Sequence, residues 1–205
     1  MGYYEKHVLP HLINYACGLK PVMKQRLKVV PLATGRVLEI GVGSGLNLPL
    51  YSRDTVQQVW GLDPSAEMLA LAQKKAAGTG LDVRFIEASA TDIPLEDGSI
   101  DTVVMTYTLC TIPEVTPALN EIRRVLVPAG RLIFCEHGAA PDENVRRWQD
   151  RLNPLWGKLA GGCNLNRRIP RLLDAGGFRI HGMETMYLPG WRPGTFNYWG
   201  TALPS

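Results

Sequence analysis

Cysteine is scarce in this 205-residue chain, and the four it has, Cys17, Cys110, Cys135 and Cys163, stand far apart with no C-x-x-C pair. They also fall at no metal-ligand spacing from the four histidines. A disulfide framework and a local metal motif are therefore excluded, no metal is expected, and a reducing compartment is the simplest setting. No window approaches the ~20 apolar residues of a membrane span. The N-terminal MGYYEKHVLPHLINY lacks the basic segment and apolar core of a signal peptide, and Lys6 spoils the myristoylation pattern. Net charge is a mild +3, and no basic run is interleaved with aromatics, so a nucleic-acid partner is not expected. These features read as a cytoplasmic protein; peripheral contact with a membrane and the oligomeric state stay open.

What is present is an ordinary α/β composition, 45% apolar and 20% charged, in a length that suits one domain. β-like runs alternate with helical stretches along the chain. This predicts an α/β fold with a single Rossmann-like, doubly wound, mostly parallel sheet over residues 31–205. Residues 1–30 precede the first strand and read as a helical lid. Tyr3, Tyr4, His7 and His11 lie there at near-helical spacing, either as half-buried packing residues or as the lining of a substrate pocket.

The most informative stretch is Arg36–Leu50, RVLEIGVGSGLNLPL. A short apolar run carrying Glu39 enters a turn with Gly41, Gly43 and Gly45 at alternate positions. Glycines there let the backbone take positive φ and let a ligand come close, with the following amides directed at it. The dinucleotide fingerprint G-x-G-x-x-G needs its third glycine where Leu46 stands, which disfavours a nicotinamide enzyme. An acidic residue two places before the first glycine suits a ligand with positive charge and does not suit a pyrophosphate. After the turn, Asn47 to Tyr51 reads as the start of a helix. Asp63 follows 22 residues after Gly41, at the tip of the second strand, where an acidic side chain can accept bonds from ribose hydroxyls. Pro64 in the next position makes Asp63 a helix N-cap candidate as well.

E-x-G-x-G-x-G resembles the first motif of class I S-adenosylmethionine (SAM) dependent methyltransferases. The resemblance implies SAM as cofactor, with S-adenosylhomocysteine as product. It places the cofactor against Glu39, Gly41, Gly43, Gly45, Asn47, Asp63, Pro64, Met68, Ser89, Ala90 and Thr106. Ser89 stands where the family usually has an acidic residue against adenine, which passes that recognition to the backbone of Ala90, with Asp92 as a cap for the turn. Thr102–Thr106 is a β-branched run typical of a buried parallel strand at the switch point of such sheets. Its exit, Tyr107 to Cys110, therefore faces cofactor and substrate.

The C-terminal part is similar to the thiol S-methyltransferases, through Cys135-Glu136-His137, Trp148, Asn153-Pro154, Trp156, Gly162-Cys163-Asn164-Leu165 and Arg167. The stretch VLEIGVGSGLNLPLY is shared with small bacterial phosphatidylethanolamine N-methyltransferases. A small-molecule acceptor is implied, a thiol in first place and a phospholipid or another N, O or C acceptor in second. A fold that binds SAM without catalysis is the alternative of another class. His137, at the end of the fifth strand, is the candidate base, or else a histidine satisfied by a loop carbonyl or by Glu136. Tyr107 joins it as a candidate catalytic residue, and Cys110, Cys163 and Asn164 as acceptor-site residues. Cys163 is expected to be a small wall residue, since no base neighbours it in sequence. Trp148 and Trp156 read as core. The arginines from Arg146 to Arg171 read as a solvated face or as an attraction for an anionic acceptor.

Overall fold

A computed structural model describes residues 9–205, and the side chains from residue 12 onward. Two helices come first, α1 (Leu9–Cys17) and α2 (Lys20–Val29), separated where Gly18 and Pro21 interrupt the periodicity. Strand β1 (Gly35–Ile40) is followed by β2 (Val56–Asp63), helix α3 (Ala66–Ala76) and β3 (Val83–Glu87). Then come β4 (Ile100–Thr106), α4 (Val115–Val125), β5 (Leu126–His137), α5 (Glu143–Leu159), α6 (Ile169–Ala175), β6 (Phe178–Tyr187) and β7 (Phe196–Pro204). The seven strands form one sheet in the order β3-β2-β1-β4-β5-β7-β6. β7 alone runs against its neighbours β5 and β6, so the sheet is mixed but mostly parallel.

The period-2 alternation of strand side chains divides the core into two layers. Leu38, Ile40, Val103, Met105, Leu132 and Phe134 face α4 and α6, packing with Leu119, Ile122 and Leu173. Val37, Val59, Val104, Ile133 and Cys135 face the other way, against Val29 of α2 and Leu69 and Ala72 of α3. With both faces covered, β1 and β4 are almost continuously buried, as their sequences require.

One expected helix is absent. Between β1 and β2 the chain makes only a short 3₁₀ turn, Leu48–Leu50, with Pro49 inside it. Leu48 and Tyr51 fill the layer beside Val29 and Val30, so α2 occupies space that a helix after the glycine turn would need. The cap of α3 also differs from expectation. Ser65 accepts from the amide of Met68 at 3.2 Å, while Asp63 sits one step earlier and accepts from the Ser65 amide at 2.9 Å.

The strand order reverses direction between β1 and β4, because the chain winds outward from β1 to β3 and then returns to the other side. Ligands of open α/β sheets sit at that point, outside the carboxyl ends of the strands. Among the described residues no helix is long and apolar enough to cross a membrane.

Candidate active site

A cavity of about 950 Å³ opens at the carboxyl ends of β1, β2 and β4. The glycine turn forms one wall. Gly41 and Gly43 have φ of 68° and 54°, and a Cβ on Gly41 would lie 2.5 Å from the Thr108 side chain. Only glycine fits that approach. The turn's amides do not form the open cradle expected of them: Gly41 and Val42 bond to the Leu62 carbonyl, and Gly43 to Asp63 Oδ2 at 2.9 Å. The turn is thus pinned to the tip of β2, and Asp63 lines the cavity with one amide bonded to each carboxylate oxygen. Burial pushes the Asp63 carboxyl up, opposed by its bonds from Ser65 and Gly43.

Pro64, Met68, Ser89, Ala90, Thr106 and Tyr107 line the same cavity, so the sequence-predicted cofactor residues converge with three exceptions. Glu39, Gly45 and Asn47 lie behind its wall. Glu39 Oε1 accepts from Asn47 Nδ2 at 2.9 Å and Oε2 from the Tyr51 hydroxyl at 2.8 Å. Burial raises this carboxyl to about 7 against the bonds from Tyr51 and Asn47 and the field of Arg26. Asn47 passes the charge forward: its Nδ2 also donates to Thr106 Oγ1, and its Oδ1 accepts from Arg26. Thr106 Oγ1 accepts from Arg26 too, at 2.5 Å, which leaves its own hydroxyl hydrogen free to donate into the cavity. Ser89 turns back into its own loop, accepting from the Thr91 amide at 3.2 Å, in the capping place expected of Asp92.

Arg26 was not legible in the sequence. It is a cation on the inner face of α2, buried beside the cavity, with its guanidinium 5.1 Å from the Tyr107 ring centroid and its Nε without a partner. The only hint is its spacing three residues before Val29, which places both on one face of α2. Ile13, Asn14 and Cys17 of α1 also line the cavity, and Asn14 Oδ1 accepts from the Ser44 hydroxyl. Tyr3, Tyr4 and His7 lie outside the described residues, as does the side chain of His11.

Tyr107 leaves β4 with φ 56°, the one non-glycine residue at positive φ among those described. Such a conformation costs ~1–3 kcal/mol and persists only where its surroundings fix it. Here the Tyr107 amide bonds to Cys135, its hydroxyl to Asn197 at 2.6 Å, and its ring stacks near His137 at 6.5 Å. Glu136, fully buried, accepts the amides of Thr108 and Leu109 at 2.9 and 3.0 Å and thereby fixes the next turn.

Behind this turn the fold gathers the predicted acceptor residues. His137 Nε2 lies 3.1 Å from Cys163 Sγ, Cys110 Sγ is in the same cluster, and Asn164 Nδ2 donates to the Cys110 carbonyl at 3.0 Å. None of these four lines the cavity, yet their neighbours Tyr107, Thr111 and Gly161 do. Cys163, which has no base near it in sequence, has an imidazole against it in space. The Cys110 thiol and then His137 bond to the Cys163 sulfur and hold its thiol well below the ordinary range, against burial. Burial disfavours the His137 cation, but its bond to Cys163 outweighs this and its affinity for a proton rises.

The tryptophans differ from expectation. Trp148 is 54% exposed and borders a shallow cleft with Trp191, while Trp156 packs against Trp191 at 5.8 Å. Arg147 pairs with Glu143 at 2.6 Å on an exposed helix face, and Arg151 stands over Trp148. That is the solvated reading for Arg147 and Arg151, whereas Arg167 turns inward and donates to the Leu109 carbonyl.

Fold and cavity define a Rossmann-like protein with a ligand-sized cavity at its switch point. The residues present fit SAM: a glycine turn for close approach, a carboxylate at the tip of β2, and a buried arginine with an unpartnered N–H. The family described as "Methyltransferase domain" matches residues 38–134. The chain is 33% identical to a demethylmenaquinone methyltransferase of Thermus thermophilus over 174 residues, 80% of this chain and 79% of that one. It is 35% identical to the human thiol S-methyltransferase TMT1B over 175 residues, 82% of this chain and 71% of that one. A phosphatidylethanolamine N-methyltransferase of Cereibacter sphaeroides is 40% identical over 109 residues, 51% of this chain and 52% of that one. A SAM-dependent methyltransferase of Aquifex aeolicus has the same fold, with a TM-score of 0.67 over 96% of this chain and 98% of that one at 20% identity. The chain belongs to the class I SAM-dependent methyltransferases. It is an enzyme that uses SAM as cofactor and methylates a small molecule.

Proposed function

We propose that the acceptor is a small thiol. The observation that carries this reading is that the residues resembling the thiol S-methyltransferases, His137, Asn153, Cys163 and Asn164, belong to one bonded wall beside the cofactor cavity. Methyl transfer is an in-line displacement, so the protein's task is to hold the sulfur ~3 Å from the methyl and on its axis. A free thiol with a pKa of ~8.5 is partly ionised near neutrality, and the cofactor's sulfonium favours the thiolate further. Bound SAM would supply the methyl group and leave as S-adenosylhomocysteine, and the acceptor, its thiol proton already lost to water, would become a thioether. Arg26 is assigned to the cofactor's carboxylate, because it is a buried guanidinium on the inner face of α2 that lines the cavity. Helix α1 acts as a lid, a role supported by its cavity-lining side chains, while α2 packs into the core layer through Val29.

The test is transfer of labelled methyl from SAM to a panel of small thiols, run beside a demethylated naphthoquinol and phosphatidylethanolamine vesicles. Label on a thiol alone is expected. Preferential label on the quinol or the lipid overturns the thiol reading in favour of C- or N-methylation, and label on none of the three overturns it for the thiols tested.

A further inference from the structure

We infer that Cys110, His137 and Cys163 form a binding site for a soft divalent cation, Zn²⁺ in the first place, in the wall beside the methyl-transfer cavity. The two sulfurs and the ring nitrogen all lie within 4.8 Å of one another. A tetrahedral zinc ion with ~2.3 Å bonds to sulfur and ~2.0 Å bonds to nitrogen separates its ligand atoms by about 3.5–3.8 Å. The cluster reaches that geometry by small side-chain adjustments. Two thiols and an imidazole are the donors of a borderline-soft ion, and they give no site for Mg²⁺ or Ca²⁺, which take oxygen ligands.

The ligands come from three segments: the exit of β4, the end of β5 and the loop between α5 and α6. That loop is tied down independently of any ion. The Asn164 amide and its Nδ2 both donate to the Cys110 carbonyl at 3.0 Å. Asn153 Nδ2 donates to Asn164 Oδ1 at 3.1 Å, and Asn153 Oδ1 accepts from the Leu165 amide at 2.7 Å. Arg167 reaches the Leu109 carbonyl from the far side. The loop therefore holds Cys163 opposite Cys110 without the metal, which lowers the ordering cost of binding. The Cys110 thiol donates to the Tyr107 carbonyl at 3.6 Å, and binding of a cation would displace that proton.

Three protein ligands leave a tetrahedral ion one position, the mark of zinc sites that exchange a ligand. Tyr107, Thr111 and Gly161 flank the ligands and line the cavity, so that position borders the cavity wall. The ligands stand 27 and 26 positions apart, which explains why no metal motif shows in the sequence.

Reduced, metal-stripped protein titrated with Co²⁺ tests the site without any methyl acceptor. One Co²⁺ per chain is expected, with sulfur-to-cobalt charge-transfer absorption and the intense visible bands of tetrahedral cobalt, both bleached by one equivalent of Zn²⁺. Cys163→Ser and His137→Ala, checked for folding by their SAM binding, should lose these bands, while Cys135→Ala, outside the cluster, should keep them. Absence of charge-transfer absorption in the wild type overturns the inference, and so does its persistence in Cys163→Ser. The outcome is independent of which acceptor is methylated.

Discussion

Arg26 and Glu39 stand on either side of Asn47, and their opposite charges decide how that amide is oriented: its oxygen toward a donor-only guanidinium, its nitrogen toward an acceptor-only carboxylate. If Arg26 holds the cofactor's carboxylate, Arg26→Met should weaken SAM and S-adenosylhomocysteine equally, by ~1.5–3 kcal/mol, as for a hydrogen bond to a charged group. Adenosine, which lacks the carboxylate, should bind as before. Calorimetric titration of the three ligands checks this, and an equal loss for adenosine would mean that the variant damages the cavity generally. Glu39 makes a pH prediction. Its folded pKa of about 7 lies above the ordinary 4.5, so between those values the folded protein holds a proton that the unfolded chain releases. Stability should therefore fall as pH rises through that window and level off above it. Glu39→Gln should flatten this part of the profile, measured as urea midpoints across pH, and an unchanged slope would assign it to other groups. The chemistry of Glu39 was legible from its place before the glycines, but its depth was not. A strand residue's face depends on what packs there, and Asn47 and Tyr51 reach Glu39 only because the loop between them winds into a 3₁₀ turn.

At the scale of elements, the sheet edge formed by β6 and β7 is where backbone packing is tightest. A Cβ on Gly200 would lie 2.0 Å from the Gly182 carbonyl oxygen, beside the register shift between Ile180 and Gly182. Neither atom belongs to a flexible side chain, so a strand must move. Gly200→Ala should cost ~1–3 kcal/mol by overpacking, read as a lower urea midpoint. SAM affinity of the folded fraction should stay near that of the wild type, since the glycine turn lies across β4 and β5 from this edge. A large loss of affinity would show that the antiparallel edge supports the site through Asn197 and Tyr107. Most element boundaries follow from periodicity and breakers: β3, α5 and β6 fall where Val83, Glu143 and Phe178 begin their patterns. The missing helix after the glycine turn was not legible. Asn47 to Tyr51 has acceptable helix residues, and only competition for one layer of space, won by α2, decides against it. The grouping of Cys110, His137 and Cys163 is a tertiary fact of the same kind, since local spacing carries no record of three strand ends and loops meeting.

On the scale of the whole molecule, the cavity is bounded by the carboxyl edge of the sheet on one side and by α1 on another. The floor is the carboxyl edge of the buried strands. Helix α1 contributes Ile13, Asn14 and Cys17 to the lining and leaves Leu12 and Tyr15 exposed. An element that packs more against the ligand's space than against the core should matter to the bound state far more than to the free one. Deletion of residues 1–17 should therefore leave the melting temperature of the free protein nearly unchanged. It should also reduce the rise that SAM produces. At a SAM concentration 100 times its Kd the intact protein gains ~2.7 kcal/mol, and each kcal/mol raises the midpoint by about 2–4 °C at this chain length. Thermal melts of both forms across a SAM series measure the difference. A ligand-induced rise equal to that of the intact chain would show that α1 adds nothing to cofactor retention and would remove the lid role. A drop in the free protein's own midpoint would instead make α1 part of the core, in which case the cavity's upper wall is as fixed as its floor and an acceptor must enter from the side of Tyr107 and Gly161.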